Sequence, residues 1–113
     1  MQTSNPSEGV VIAEVPEGTL TASNVDPFRE EFNRILSESH DLKVLILDLS
    51  GFTFMDSAGL GTLIALLKKS SEQGREIKLA GLRKEVRVVF EITRAYKLFD
   101  IFDTTEEALR VVE

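Results

Sequence analysis

Apolar positions in this chain come in short continuous runs separated by stretches where they recur every three to four residues. The run GVVIAEV, residues 9–15, is β-branched and predicts a strand. The next three residues, PEG, predict a turn, because proline presets φ and glycine supplies conformational freedom. TLTA, residues 19–22, then predicts a short second strand pairing back on the first. From residue 23 the period changes. Phe28, Phe32, Ile35 and Leu36 stand at i, i+4, i+7 and i+8, one face of a helix, with Asn24 or Asp26 as its cap and Pro27 in its first turn. KVLILDLS, residues 43–50, is almost uninterruptedly apolar, as expected of a central strand covered on both faces.

The second half repeats the alternation. Leu60, Leu63, Ile64 and Leu67 predict a helix, and Gly74 stands where a left-handed residue would end it. REIKLAG, residues 75–81, predicts a strand. Val86, Val89, Phe90 and Thr93 predict a further helix within RKEVRVVFEIT, residues 83–93. IFD, residues 101–103, predicts a last short strand. TTEEALRVV, residues 104–112, predicts a helix opened by Thr104 and Glu107 at capping-box spacing. Strands alternating with helices imply an α/β fold with right-handed crossovers. The expectation is a single domain with a mixed, largely parallel sheet of four to five strands and about four helices. Residues 1–8, MQTSNPSE, carry no such pattern and are expected to be a flexible lead to a domain spanning 9–113.

Composition narrows the function. With 113 residues, 42% of them apolar, the chain supports one core of ordinary size. No apolar run approaches the ~20 residues of a membrane span, so no membrane insertion is expected, and no signal peptide is visible. The absence of cysteine excludes disulfides and thiolate sites and fits a cytoplasmic protein. The net charge of −6 argues against direct nucleic-acid binding. That charge is uneven: residues 1–56 carry 3 basic and 10 acidic groups, whereas residues 57–113 carry 10 and 9. Arg83, Lys84, Arg87, Arg94 and Lys97 cluster late, as a solvated helix face or as a docking patch for an acidic partner.

In open parallel sheets, sites lie beyond the carboxyl ends of the strands. There this chain reads FTFMDSAGLGTL, residues 52–63, with Asp56-Ser57 ahead of Gly59 and Gly61. A nucleophile elbow needs Gly-x-Ser-x-Gly, and the first glycine is missing. The only histidine, His40, ends an earlier helix and is an unsuitable base. A phosphate-binding loop needs a lysine directly after its last glycine, whereas Lys68 and Lys69 lie two turns further on. One histidine and scattered carboxylates form no metal site, and the carboxylates of Asp48 and Asp56 have no evident pocket between them. No catalytic residue, metal or cofactor is therefore expected. Two readings remain open on the residues alone. Ser57 is a modified serine, well placed because a helix N-terminus receives a phosphate, with small neighbours that admit another protein. Alternatively Ser57 is merely a cap, and the two glycines serve helix-on-sheet packing.

LDLSGFTFMDSAGLGTLIAL, residues 47–66, resembles the signature of the STAS domain, named for sulfate transporters and anti-sigma-factor antagonists. The likeness spans roughly residues 9–112, including GTLTASN, IKLAGL and LFDIFDTTEEAL. Among STAS proteins the chain looks like the stand-alone bacterial antagonists. That resemblance implies a phosphorylatable serine at Ser57 and partner binding through Asp56, Ser57, Ala58, Gly59, Leu60 and Gly61. It implies a partner that is at once anti-sigma factor and serine kinase, bound by the unmodified form to free a sigma factor. A PP2C-type phosphatase would reverse the modification, and the antagonist would be a monomer or weak dimer. The resemblance leaves room for a regulatory or scaffold module of a stress-sensing or membrane-transport assembly. One departure stands out: where family members often have glycine-leucine after the third helix, this chain has Arg94-Ala95.

Overall fold

The computed structural model describes residues 1–113. Its elements are β1 (Gln2–Ser7), β2 (Val10–Glu14), β3 (Gly18–Leu20), α1 (Val25–Glu38), β4 (Val44–Asp48), β5 (Phe52–Met55), α2 (Ser57–Glu72), β6 (Glu76–Ala80), α3 (Lys84–Ile92), a single 3₁₀ turn (Ala95–Lys97), β7 (Asp100–Phe102) and α4 (Thr105–Val112). Five strands form one sheet in the order β1-β2-β4-β6-β7, antiparallel at β1/β2 and parallel elsewhere.

Strand alternation explains why the β4 run is continuously apolar. Leu45 and Leu47 face a 23-residue core shared with α1, α2 and α3, while Ile46 faces a 4-residue cluster that includes Ala108 of α4. The faces of α1 are those expected from its spacing: Phe28, Phe32, Ile35 and Leu36 are all buried. Lys78 of β6 points to the α4 side, where its ammonium lies 2.8 Å from Asp100, so a charge in the middle of the sheet keeps a partner.

Three local expectations are corrected. The supposed flexible lead forms β1, whose residues are nearly all exposed. Backbone pairing to β2 holds it, with a register shift between Ser4 and Ser7 that accommodates Pro6. A polar edge strand held this way leaves no apolar signature. Second, TLTA does not fold back on β2. Its first half belongs to β3, which pairs in parallel with β5 as a separate two-stranded sheet. Strand β5 itself, four residues at the start of FTFMDSAGLGTL, is not among the predicted elements and is too short to show a period. Third, Asn24 sits at the N-cap of α1 without capping it by its side chain; Oδ1 accepts from the Thr21 amide at 2.8 Å and Nδ2 donates to the Thr19 carbonyl.

Helix ends follow the sequence elsewhere. Gly74 has φ +74° after α2, and the Thr104 hydroxyl accepts from the Glu107 amide at 3.2 Å. After α3 the left-handed position is taken by Arg94, with φ 60°, the only non-glycine residue with positive φ. A side chain in that region costs about 1–2 kcal/mol. Arg94→Gly is expected to raise unfolding stability by about 1 kcal/mol, after the greater backbone entropy of glycine is deducted. Urea unfolding of the two proteins checks this; no gain would mean that Arg94 makes compensating contacts.

Candidate functional site

Strand β5 delivers the chain to α2 through Asp56, whose extended backbone (φ −98°, ψ −176°) makes it the N-cap. Its carboxylate works twice. Oδ1 accepts from the Gly59 amide at 2.9 Å, closing the first turn of α2, and Oδ2 accepts from the Ala22 amide at 3.1 Å, in the loop between β3 and α1. The Asp56 amide in turn donates to the Leu20 carbonyl at 3.2 Å. One aspartate thus fastens the helix start to residues 20–22. These hydrogen bonds, first that from Gly59 and then that from Ala22, hold the Asp56 carboxyl below its usual range.

The sign of the resulting pH dependence is fixed. A depressed folded pKa contributes stability that is complete above the ordinary value of 3.8 and is lost as pH falls through the lower folded value. Glu31 on α1 acts in the same sense: Arg34, and then the terminal amine of Met1, bring it from 4.5 down to about 2. Asp56→Asn keeps an acceptor for Gly59 and removes the titration. It is expected to lose less stability than the parent as pH falls from above 3.8 through the lower folded value of Asp56. Equal acid sensitivity of both proteins in denaturant titrations would contradict the clamp.

Ser57 is the first helical residue, exposed, and its hydroxyl has no hydrogen-bond partner within the chain. The amides of Ser57 and Ala58 open the positive end of a 16-residue helix. His40 lies at the other end of that helix, lining a cleft with Gln73 and Gly74. At 1.5 Å per residue that separation is about 24 Å, so His40 cannot serve Ser57 as a base. Asp48 accepts from the Ser50 amide at 2.9 Å and faces Gly81, apart from any catalytic grouping. No three acidic, histidine or cysteine side chains lie together in a manner suited to a metal ion.

The six residues expected to meet a partner divide into three sets. Ser57 and Gly61 are exposed, Asp56 and Ala58 are partly so, and Gly59 and Leu60 are buried. The glycines differ in role. A Cβ on Gly59 would collide with the Leu20 carbonyl oxygen and come within 2.9 Å of Met55 Cγ, so Gly59 is where helix and strand pack. A Cβ on Gly61 would meet nothing within 4 Å. In the free domain Gly59 thus packs on Leu20 of β3 and Met55 of β5, and Leu60 belongs to the core. The sequence reading missed Ala22, held by Asp56, and Phe54 of β5, half exposed three residues before Ser57. No local signal marked Phe54, which stands between Thr53 and the buried Met55 and two residues from the buried Phe52.

The sequence profile of the STAS domain matches residues 6–108. The chain belongs to the STAS domain family. Among curated relatives, this STAS domain is 28% identical to the anti-sigma-B factor antagonist of Bacillus subtilis over 79% of each chain. Among solved structures, a Thermotoga maritima protein assigned to the anti-sigma factor antagonists is 27% identical and superposes with a TM-score of 0.84, covering 98% of this chain and 92% of that one. The Bacillus antagonist SpoIIAA, solved in unphosphorylated and phosphorylated forms, shares the fold at 21% and 20% identity with TM-scores of 0.77 and 0.71; the pairs cover 98% and 99% of this chain and 94% and 98% of the other. The mixed, mostly parallel five-stranded sheet with four α-helices is thus the STAS fold, as expected from the sequence. These relatives are regulatory binding proteins. No helix of this STAS domain is long and apolar enough to cross a membrane.

Proposed function

We propose that this chain is a cytoplasmic anti-sigma-factor antagonist whose binding is switched by phosphorylation of Ser57. In the unmodified state it binds an anti-sigma factor that is also a serine kinase, and that binding releases a sigma factor. A PP2C-type phosphatase restores the unmodified state. The observation that carries the proposal is the placement of Ser57: an exposed, unpartnered hydroxyl on the first residue of a long helix. Gly61, the next residue on that side, leaves open space for another protein's backbone. The kinship with anti-sigma-factor antagonists supports the same reading.

The helix also argues for one site among its serines. Ser70 is fully buried near the carboxyl end of α2, and Ser71 stands beside it where a phosphate would meet the negative pole. Incubation with the cognate kinase and ATP, followed by fragment mass spectrometry, is expected to place a single phosphate on Ser57. A single phosphate elsewhere, or none, would leave a plain scaffold module as the better account. The purified chain alone is expected to turn over no nucleotide, with or without Ser57→Ala.

A further inference from the structure

Large apolar side chains are exposed at six positions, and five of them lie in β5, α3 and the turn that follows: Phe54, Val88, Ile92, Tyr96 and Leu98. Val88 and Ile92 are one turn apart on α3, so they form a stripe on its outer side, with Lys84 one turn before. Ile92 is 78% exposed, an unusual position for a β-branched apolar residue on a helix whose inner face already buries Val86 and Phe90. Strand β5 packs beside both α3 and α2. Its exposed Phe54 stands three residues before Ser57 along the chain, so β5 links the α3 side of the molecule to the start of α2.

Charge separates this face from the rest of the molecule. Residues 83–97 carry five basic groups (Arg83, Lys84, Arg87, Arg94, Lys97) against two acidic ones (Glu85, Glu91), a net of +3 within a chain of net −6. Arg87 is paired with Asp103 at 3.4 Å, and Arg83 Nε donates to the Ser50 carbonyl at 2.6 Å. Lys84, Arg94 and Lys97 have no carboxylate partner within the chain. An apolar stripe with Glu85 and Glu91 beside it and unpaired cations before and after it complements an apolar ridge whose acidic groups lie at its two ends.

We propose that the outer face of α3 is a second docking surface for the protein that acts on Ser57, taking an acidic, apolar-ridged segment of that partner. The inference rests on the phosphoswitch reading and adds where and by what chemistry the partner is held. A protein is favoured over an anionic membrane because whatever acts on Ser57 has to reach the start of α2, and β5 packs beside both α2 and α3, so one protein can span the two.

The test uses the full chain and the anti-sigma factor that phosphorylates it. Ile92→Glu and the double variant Lys84→Glu/Lys97→Glu alter exposed residues, and circular dichroism confirms their folding. Calorimetric titration is expected to show Ile92→Glu binding about 10-fold or more weakly. The charge-reversed double variant is expected to bind more weakly and with less dependence on salt. Affinities of both variants within about twofold of the parent overturn the inference while leaving the Ser57 reading intact. Co-sedimentation with phosphatidylserine-rich vesicles that both variants abolish, at unchanged partner affinity, overturns it in favour of a membrane. Failure of the parent chain to bind the anti-sigma factor overturns both readings together.

Discussion

A phosphate on Ser57 is expected to weaken binding to the cognate anti-sigma factor by about 100-fold or more while leaving the free domain folded as it is. The modification adds about −1.5 to −2 charges at neutral pH. Within the free domain that charge is accommodated locally, because Ser57 is exposed and opens the positive end of α2. In the complex the same charge lies where a partner has to approach a neutral hydroxyl. Stranding an uncompensated charge in an interface costs about 3–5 kcal/mol, which is roughly two to three orders of magnitude in affinity. Asp56 adds to this cost rather than relieving it, since its carboxylate already occupies the Gly59 amide at 2.9 Å and repels a neighbouring dianion. Ser57→Ala removes only an unpartnered hydroxyl and is expected to bind as the parent does. Ser57→Asp is expected to fall between, with less charge and less volume than a phosphate. Titration of the kinase partner with the four forms measures the effect, and amide shifts of the free domains locate it. Shifts are expected at residues 56–61 and, through the bond from Ala22 to Asp56, at residues 21–24. Equal affinities would defeat the switch, and shifts spread across β4, β6 and α4 would point to a conformational mechanism instead.

The two glycines of α2 are expected to respond in opposite ways to an added side chain. Gly59→Ala places a Cβ against the Leu20 carbonyl oxygen and 3.1 Å from the Leu20 carbonyl carbon. That backbone has little freedom to retreat, because the same carbonyl accepts from the Asp56 amide. Overpacking of this kind typically costs 1–3 kcal/mol, and here the obstacle is main chain. Even after the ~1 kcal/mol that alanine gains in helix propensity, a net loss of about 2 kcal/mol is expected. A Cβ at position 61 meets nothing within 4 Å, so the stability of Gly61→Val is expected to stay within about 0.5 kcal/mol of the parent. Its partner affinity is expected to fall sharply, because the new branched side chain projects from the face that Ser57 shares. Urea unfolding beside a binding titration separates the two effects. Destabilisation of Gly61→Val with unchanged affinity of the folded protein would make both glycines packing residues.

How much was legible in the chain depended on whether a segment buries a periodic face. Helices α1, α2 and α3 and strands β2, β4 and β6 each put apolar residues into the core, and their periods of 3.6 or 2 follow from that burial. Their capping residues were legible too, since Gly74 and Thr104 act through their own backbone neighbours. The chemistry at Ser57 was legible because a strand end, a small serine and a helix start adjoin in sequence. Elements too polar or too short to show a buried period left no such mark. Strand β1 is polar and β5 is four residues long, and each exists because another strand, β2 for the first and β3 for the second, offers hydrogen bonds to it. Likewise, Gly59 and Gly61 read alike in the sequence, two residues apart in one helix. Only the packing of α2 on β3 and β5 turns one toward Leu20 and the other toward solvent. The bond from the Ala22 amide to Asp56, and the packing of α3 against β5, belong to the same class. Both join residues far apart in the chain, and local sequence carries no information about which distant groups the folded chain brings within reach.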